Sequence, residues 1–432
     1  MLLQKSKFIF ATLLSCILFS KYALSQTTEF VEYDIEEFYQ GNNLIGFLNV
    51  YSSKNMDNKR LYSNRRESLA KKETWEQEYA NWKNKLEQET GISYSIDLSV
   101  LAQRGAPNGS GTAIQFQAYP SLSWELFDND YGTGTINIAY NPNNYWSGTD
   151  GQDISNRIDV LSGINDYTTN SRSFSQLSYT QQFAGNMDWL GITVGQFGIS
   201  SFDGTNYDSN QQVNFLNYSL SQNGSSTYPV ASLGAYFTFT LNPEWEVILG
   251  MQDANNISGT AVSANDFGKG EYTSFASVLY TPTFKNLGAG QYSILVYNQP
   301  SVEEQRGTSN GWSINFEQAL NETFAIFGRI NGAEDSSLSI EQSYMVGSVI
   351  NNPLERNPLD QIGIAVAINK SNKDIIGYEN TRSYETVLET YWAWGIGNWL
   401  TITPDIQLYF NPALDSSHDT ATVASLRTTF MF

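Results

Sequence analysis

From Ile92 to Phe432, apolar and polar residues alternate in runs of about ten, separated by turns rich in Gly, Asn, Asp and Pro. A period of two belongs to a strand with one face against an apolar medium and the other against water. In the run from 399, Leu400, Ile402, Ile406, Leu408 and Phe410 share one face, and Thr401, Thr403, Asp405, Gln407 and Tyr409 share the other. In the run from 383, Tyr384, Leu388, Trp392 and Trp394 oppose Glu385 and Glu389. Counted backward from Phe432, the pattern predicts strands near 421–432, 399–410, 383–396, 360–369, 339–350, 323–331, 312–320, 290–298, 271–281, 244–252 and 232–241. Five more fall near 188–199, 173–183, 132–141, 113–127 and 92–104, for a total of sixteen.

Connection lengths supply a second pattern. Short turns at Asn242–Pro243, Asn321–Thr323 and Gly397–Asn398 alternate with long connections around 142–172, 200–231, 253–270, 299–311, 370–382 and 411–420. Bacterial barrels alternate short periplasmic turns with longer outer loops in this way, although the turns near 282–289 and 351–359 are less tight. "QQVNFLNYSL" (211–220) also looks strand-like. Counting it would break both the even strand number and the loop alternation, so it is expected in a long loop folded into the lumen.

A sandwich core would produce the same alternation. It would not explain aromatics clustered near strand ends, such as Trp312, Trp392, Trp394 and Trp399, where membrane girdles lie. The expected fold is therefore an all-β transmembrane protein, an antiparallel outer-membrane β-barrel of about sixteen strands preceded by a short helix. In the final "SLRTTFMF", Leu426, Phe430 and Phe432 share the apolar face, and Ser425, Arg427 and Thr429 the polar one. Phe430 and Phe432 read as the assembly signal of a closing strand, for which the partner is the barrel-assembly machinery.

Residues 1–25 carry Lys5 and Lys7, the apolar core "FIFATLLSCILFS" and small residues Ala23 and Ser25, the anatomy of a secretory signal peptide. A lipoprotein site at Cys16 would cut that apolar core short. Residues 26–66 form a polar periplasmic arm, acidic at its start and basic at its end. Residues 67–91 form an amphipathic helix with Trp75, Tyr79, Trp82 and Leu86 in one stripe and Gly91 as its stop, expected to pack on its own protein. The barrel occupies 92–432.

Composition narrows the chemistry. Charged residues make up 16%, aromatics reach 14%, and the formal charge of -20 becomes about -23 once the signal and its three lysines are gone. Such acidity argues against a nucleic-acid partner and suits a pore that prefers neutral or cationic solutes. Removal of Cys16, the sole cysteine, excludes thiolate chemistry, and a single histidine, His418 in the last outer loop, leaves no catalytic triad or histidine metal site. No catalytic residue, metal site or cofactor is expected. "DNDYGTG" (128–134) begins like a calcium loop, but its twelfth position is Ala139, so it reads as a tight turn. Asp150, Asp153, Asp159 and Asp166 in an outer loop are either solvated or gather divalent cations at a lipopolysaccharide surface. Lumen-side Glu317, Arg329, Glu385, Glu389, Asp405, Gln407 and Arg427 are the candidates for lining the pore or touching a solute.

Several stretches together resemble a known family. "GNWLTITPDIQLYFNPA" (397–413), preceded by "YETVLETYW" (384–392) and followed by "SLRTTFMF", resembles the terminal signature of carbohydrate-selective porins of the OprB type. "LGITVGQFGISSFDG" (190–204), "FLN" (215–217) and "FAIFGRING" (324–332) resemble its central segments, and "NWKNKLEQETGISYSID" (81–97) its amino-terminal entry. The resemblance implies a sixteen-stranded barrel in the outer membrane of a Gram-negative bacterium, passing small hydrophilic solutes, sugars above all, by facilitated diffusion. It also points to Arg329, Glu385, Glu389, Asp405 and Gln407 as pore or scaffold positions, and by analogy to a homotrimer in outer-membrane lipid and lipopolysaccharide. The alternative is a receptor for a specific ligand such as a siderophore.

Overall fold

A computed structural model describes residues 75–432, apart from 108–110, 266, 336, 358, 378–379 and 415–417. The expected signal peptide, the arm and residues 67–74 of the expected helix lie outside the described residues.

Sixteen long strands, each antiparallel to its neighbours, form one sheet that closes on itself. They are β1 (Ile92–Ala106), β2 (Ala113–Asn129), β3 (Gly132–Tyr145), β4 (Ser171–Phe183), β5 (Leu190–Phe197), β6 (Ser232–Asn242), β7 (Trp245–Asp253) and β8 (Tyr272–Tyr280). The second half comprises β9 (Gly288–Gln299), β10 (Ser309–Ala319), β11 (Phe324–Glu334), β12 (Ile340–Asn351), β13 (Gln361–Ser371), β14 (Tyr384–Ile396), β15 (Leu400–Phe410) and β16 (Thr420–Met431). All sixteen fall within a few residues of where alternation placed them. A two-residue pairing of Thr283–Phe284 with Gly288 and Ala289 only decorates the turn before β9.

Closure joins the first strand to the last. Asp97 stands opposite Met431 and Ala106 opposite Thr422. Phe432 exchanges backbone hydrogen bonds with Ile96, each of 3.0 Å. A closed sheet leaves no strand edge unpaired, the condition for crossing hydrocarbon with strands. "DNDYGTG" is a tight turn at Asp130–Tyr131 between β2 and β3.

The two faces divide as their residues require. Ile294, Val296, Ile314, Ile406 and Leu426 point outward and are exposed, while their strand neighbours point inward and are buried. At the rim of short turns, outward aromatics pair into a girdle: Trp245 stacks on Tyr280 at 4.4 Å between ring centres, Trp189 on Phe239 at 6.1 Å and Trp399 on Phe430 at 5.9 Å. Helix α1 (Trp75–Thr90) packs beside β1 at this rim, and Tyr79 and Tyr94 share a hydroxyl hydrogen bond of 2.9 Å.

The packed core lies inside the barrel. One apolar cluster joins Ile154, Ile158, Ile164, Phe215 and Leu220, all from inter-strand connections, to Phe327, Met345, Val387 and Val423 on the wall. Another gathers Phe197, Ile199 and Phe202 with Tyr236, Phe275 and Tyr297 of the neighbouring strands β6, β8 and β9. Most of residues 151–168 and 199–229 has therefore folded into the lumen, including the strand-like 211–220, as expected, while Trp146 stacks on the outward Phe116.

Candidate functional site: the lumen and its infolded loops

The seven candidate residues all sit on inward positions of the wall, since each alternates with a lipid-facing neighbour. Most are occupied by holding the infolded loops. Glu385 and Glu389, both fully buried on β14, illustrate the division of labour. The Glu385 carboxylate accepts the backbone N–H of Leu161 at 2.6 Å and of Ser162 at 2.9 Å, the Ser162 hydroxyl at 2.8 Å, and the N–H of Ala413 at 3.2 Å. The Glu389 carboxylate accepts the N–H of Leu216 at 2.5 Å and of Asn217 at 2.8 Å. Carboxylates bonded to backbone donors in a dry setting are strong anchors.

The remaining candidates follow the same logic. Arg329 on β11 forms a buried ion pair of 2.6 Å with Asp208 and also donates to the Asp208 carbonyl. Arg427 on β16 donates to the carbonyls of Gln211 and Asn214. Gln407 on β15 donates to the Ile164 carbonyl at 2.9 Å. Glu317 on β10 accepts the N–H and side-chain amide of Asn206 at 2.8 and 3.1 Å, and it alone among the seven remains half-exposed. Asp405 is buried on β15, opposite Tyr391 on one side and Ser425 on the other.

The loops are also bound to each other. Asn217, the N-cap of a short helix at Tyr218–Ser221, donates through its amide to the Gly163 carbonyl at 3.1 Å and to the Tyr409 hydroxyl at 2.8 Å. Asp166 accepts the Ser221 hydroxyl and the Gln222 amide, and its own N–H donates to Gln211 at 2.8 Å. Burial pushes the Asp166 carboxyl up to about 7, against the opposing pull of those donors. Of the other loop acids, Asp150 and Asp153 form a reciprocal capping box on the helix Gly151–Arg157. Among the described residues, no group of three or more His, Cys, Asp or Glu is placed to hold a metal.

The infolded loops cover the lumen unevenly. Against β13–β16 and β1, inward side chains are buried almost throughout. On β2–β4 and β6, toward the rim of short turns, inward Ser121, Thr133, Thr135, Asn137, Thr180 and Thr238 remain half-exposed. Thr180 shares a hydroxyl hydrogen bond of 2.9 Å with Thr193 across the sheet. This solvent-reached wall is mostly hydroxyls and amides, with Glu125 exposed opposite Thr135 at the rim and Glu246 and Glu317 as half-exposed acids farther round. At its margin, the Asn206–Tyr207 tip of the long loop presents the half-exposed Tyr207, whose ring lies 5.9 Å from Phe327 and whose hydroxyl accepts from Asn351 at 2.9 Å.

Sequence reading located the wall residues but not Asn206, Tyr207, Asp208 or Asn217, the loop's half of these contacts. It set Asp166 among solvated or cation-gathering outer-loop acids, whereas the structure ties it to Ser221, Gln222 and Gln211 of the other loop. A signal was present. The segment 211–220 interleaves Gln211, Gln212, Asn214 and Asn217 with Val213, Phe215, Leu216 and Leu220, a composition suited to a loop buried on all sides in a polar lumen.

Comparison with known proteins agrees with this architecture. The family described as carbohydrate-selective porin, OprB family, matches residues 147–432. Porin AaxA of Chlamydia abortus is 38% identical over 356 residues, covering 80% of this chain and 79% of the relative. Porin AaxA of Chlamydia pneumoniae is 38% identical over 358 residues, covering 81% of each. The high-pH structure of Pseudomonas putida OprB superposes with a TM-score of 0.67 at 16% identity, over 82% of this chain and 97% of that one, a likeness of fold.

Proposed function

The chain belongs to the OprB family of carbohydrate-selective porins, and from that premise we propose an outer-membrane porin of a Gram-negative bacterium that passes small neutral polyhydroxylated solutes, carbohydrates foremost, by facilitated diffusion. The observation that carries this reading is the chemistry of the solvent-reached wall. Ser121, Thr133, Thr135, Asn137, Thr180 and Thr238 offer donors and acceptors without fixed charge. Such groups replace a sugar's hydration for a moment without holding it. Glu385, Glu389, Arg329 and Arg427 act in this reading as scaffold, fixing the loops that narrow the lumen. Glu317 and the Tyr207 ring are the groups placed to meet a solute, one through hydrogen bonds and the other as an apolar face for a pyranose.

A siderophore receptor is not favoured, because the family and the curated relatives are porins. Lipopolysaccharide around the loop rim, the barrel-assembly machinery reading the Phe432 end, and a homotrimer complete the proposal as partners. Single-channel recording tests it. Glucose or sucrose added to one side should reduce the ion current saturably, by more than a polymer of equal viscosity that does not enter. A reduction no larger than viscosity explains would refute a sugar-accepting lumen.

A further inference from the structure

Helix α1 lies on the outer surface of the barrel, and two observations point to what it touches there. On β1, Ser95, Asp97 and Ser99 are buried on the lumen side, so Tyr94, Ile96 and Leu98 face outward. The helix meets that outward face. Tyr79 bonds the Tyr94 hydroxyl, the Trp82 ring stands edge-on to Tyr94 at 6.1 Å, and Trp75 stands edge-on to Trp399 at 5.6 Å. Trp399 in turn stacks on Phe430, so the helix continues the aromatic girdle across the seam where the last strand joins the first. The periplasmic mouth is therefore not where this helix sits.

The helix also leaves its aromatic stripe half uncovered. Trp75, Tyr79, Trp82 and Leu86 lie within about 60° of one another around the axis at 100° per residue. Trp75 is 53% exposed and Trp82 51%, while Glu78, Asn81 and Asn84 on the other faces are open to solvent. Half-covered tryptophans beside a lipid-facing girdle fit the headgroup layer, where an indole places its apolar body in hydrocarbon and its N–H in water. We propose that α1 is an interfacial helix lying in the headgroup layer of the periplasmic leaflet, with zwitterionic phospholipid covering Trp75 and Trp82. With four glutamates against two lysines, the helix has no cationic face, so its contact with lipid rests on aromatic burial and should be insensitive to salt.

The inference goes beyond solute passage and rests on the barrel being in a bilayer, which solute flux into the same liposomes reports separately. The full chain, with Cys16→Ser, carries a single nitroxide at Trp82→Cys or Asn84→Cys in phosphatidylethanolamine–phosphatidylcholine liposomes. The label at 82 should collide several-fold more often with oxygen than with a water-soluble nickel chelate, and the label at 84 should show the reverse, unchanged from low to high salt. Water-like accessibility at both positions would overturn the proposal, and shielding of position 82 from both quenchers would replace lipid with a protein partner. Should Trp82→Cys fail to insert, quenching by phosphatidylcholine brominated near the headgroup gives an independent readout. Trp75→Phe together with Trp82→Phe should reduce the quenchable fluorescence, and an unchanged quenchable fraction would refute lipid contact.

Discussion

Glu385 and Glu389 stand four residues apart on one face of β14, and each binds the backbone of a different loop: Leu161 and Ser162 in the first case, Leu216 and Asn217 in the second. One strand thus fixes both segments that fill the lumen. The loops are joined again through Asn217 and Asp166, so the wall and the two loops form one hydrogen-bonded unit.

Glu389→Ala orphans two buried N–H groups, at a cost of about 1–3 kcal/mol for each. The long loop should loosen, giving faster amide exchange over 205–225, noisier single-channel currents and entry of larger sugars. Glu389→Gln keeps one carbonyl acceptor and should lie between the parent and Glu389→Ala. Unchanged exchange in the alanine variant would show that the carboxylate does not anchor the loop.

Arg329 and Asp208 form the buried ion pair that holds the loop near its tip. Removing only the guanidinium in Arg329→Ala leaves Asp208 buried without its countercharge, a loss of about 3–5 kcal/mol. Arg329→Met with Asp208→Asn should recover part of it, because no charge is left stranded. Urea denaturation of the refolded barrel measures the difference, and a double variant no more stable than Arg329→Ala would contradict the pairing.

Asp166 gives the loop clasp a pH dependence. Its carboxyl titrates near 7 in the fold, above its ordinary value of 3.8, so the folded state holds the proton more tightly than the unfolded one. Its contribution to stability is fully present below about 4 and is lost as pH rises through 7. Channel noise and amide exchange around 161–166 and 217–222 should therefore increase between pH 5 and 8. Asp166→Asn should flatten that profile, and an unchanged profile in this variant would assign the titration elsewhere.

Selectivity should follow exposure. Glu317 is half-exposed at the solvent-reached wall, whereas Glu385 is buried against its loop. Glu317→Gln should move the reversal potential in a salt gradient toward lower cation preference by more than Glu385→Gln does. Equal shifts would place both carboxylates on the ion path.

The strands were legible because each side of this wall meets one medium. In β15, Leu400 to Phe410 alternate without interruption, and the lengths of the connections then gave the count and orientation. The infolded loop was legible only by exclusion. Segment 211–220 alternates like a strand because Phe215 packs against Phe327 and Tyr391 while Gln211, Gln212 and Asn217 bond the polar wall. Periodicity reports two environments and not which structure supplies them. Nor does sequence say that a lumen charge is already taken: Arg329 read as a pore group until Asp208, 121 residues away, stood against it.

The most direct test of a carbohydrate porin is swelling of liposomes holding the purified mature protein, with sugars of rising size compared with amino acids and an anionic solute of similar mass. Sugar uptake that is fast, saturates with concentration and exceeds uptake of the anion is the result expected. Uptake ordered by size alone, or none at all, would contradict it.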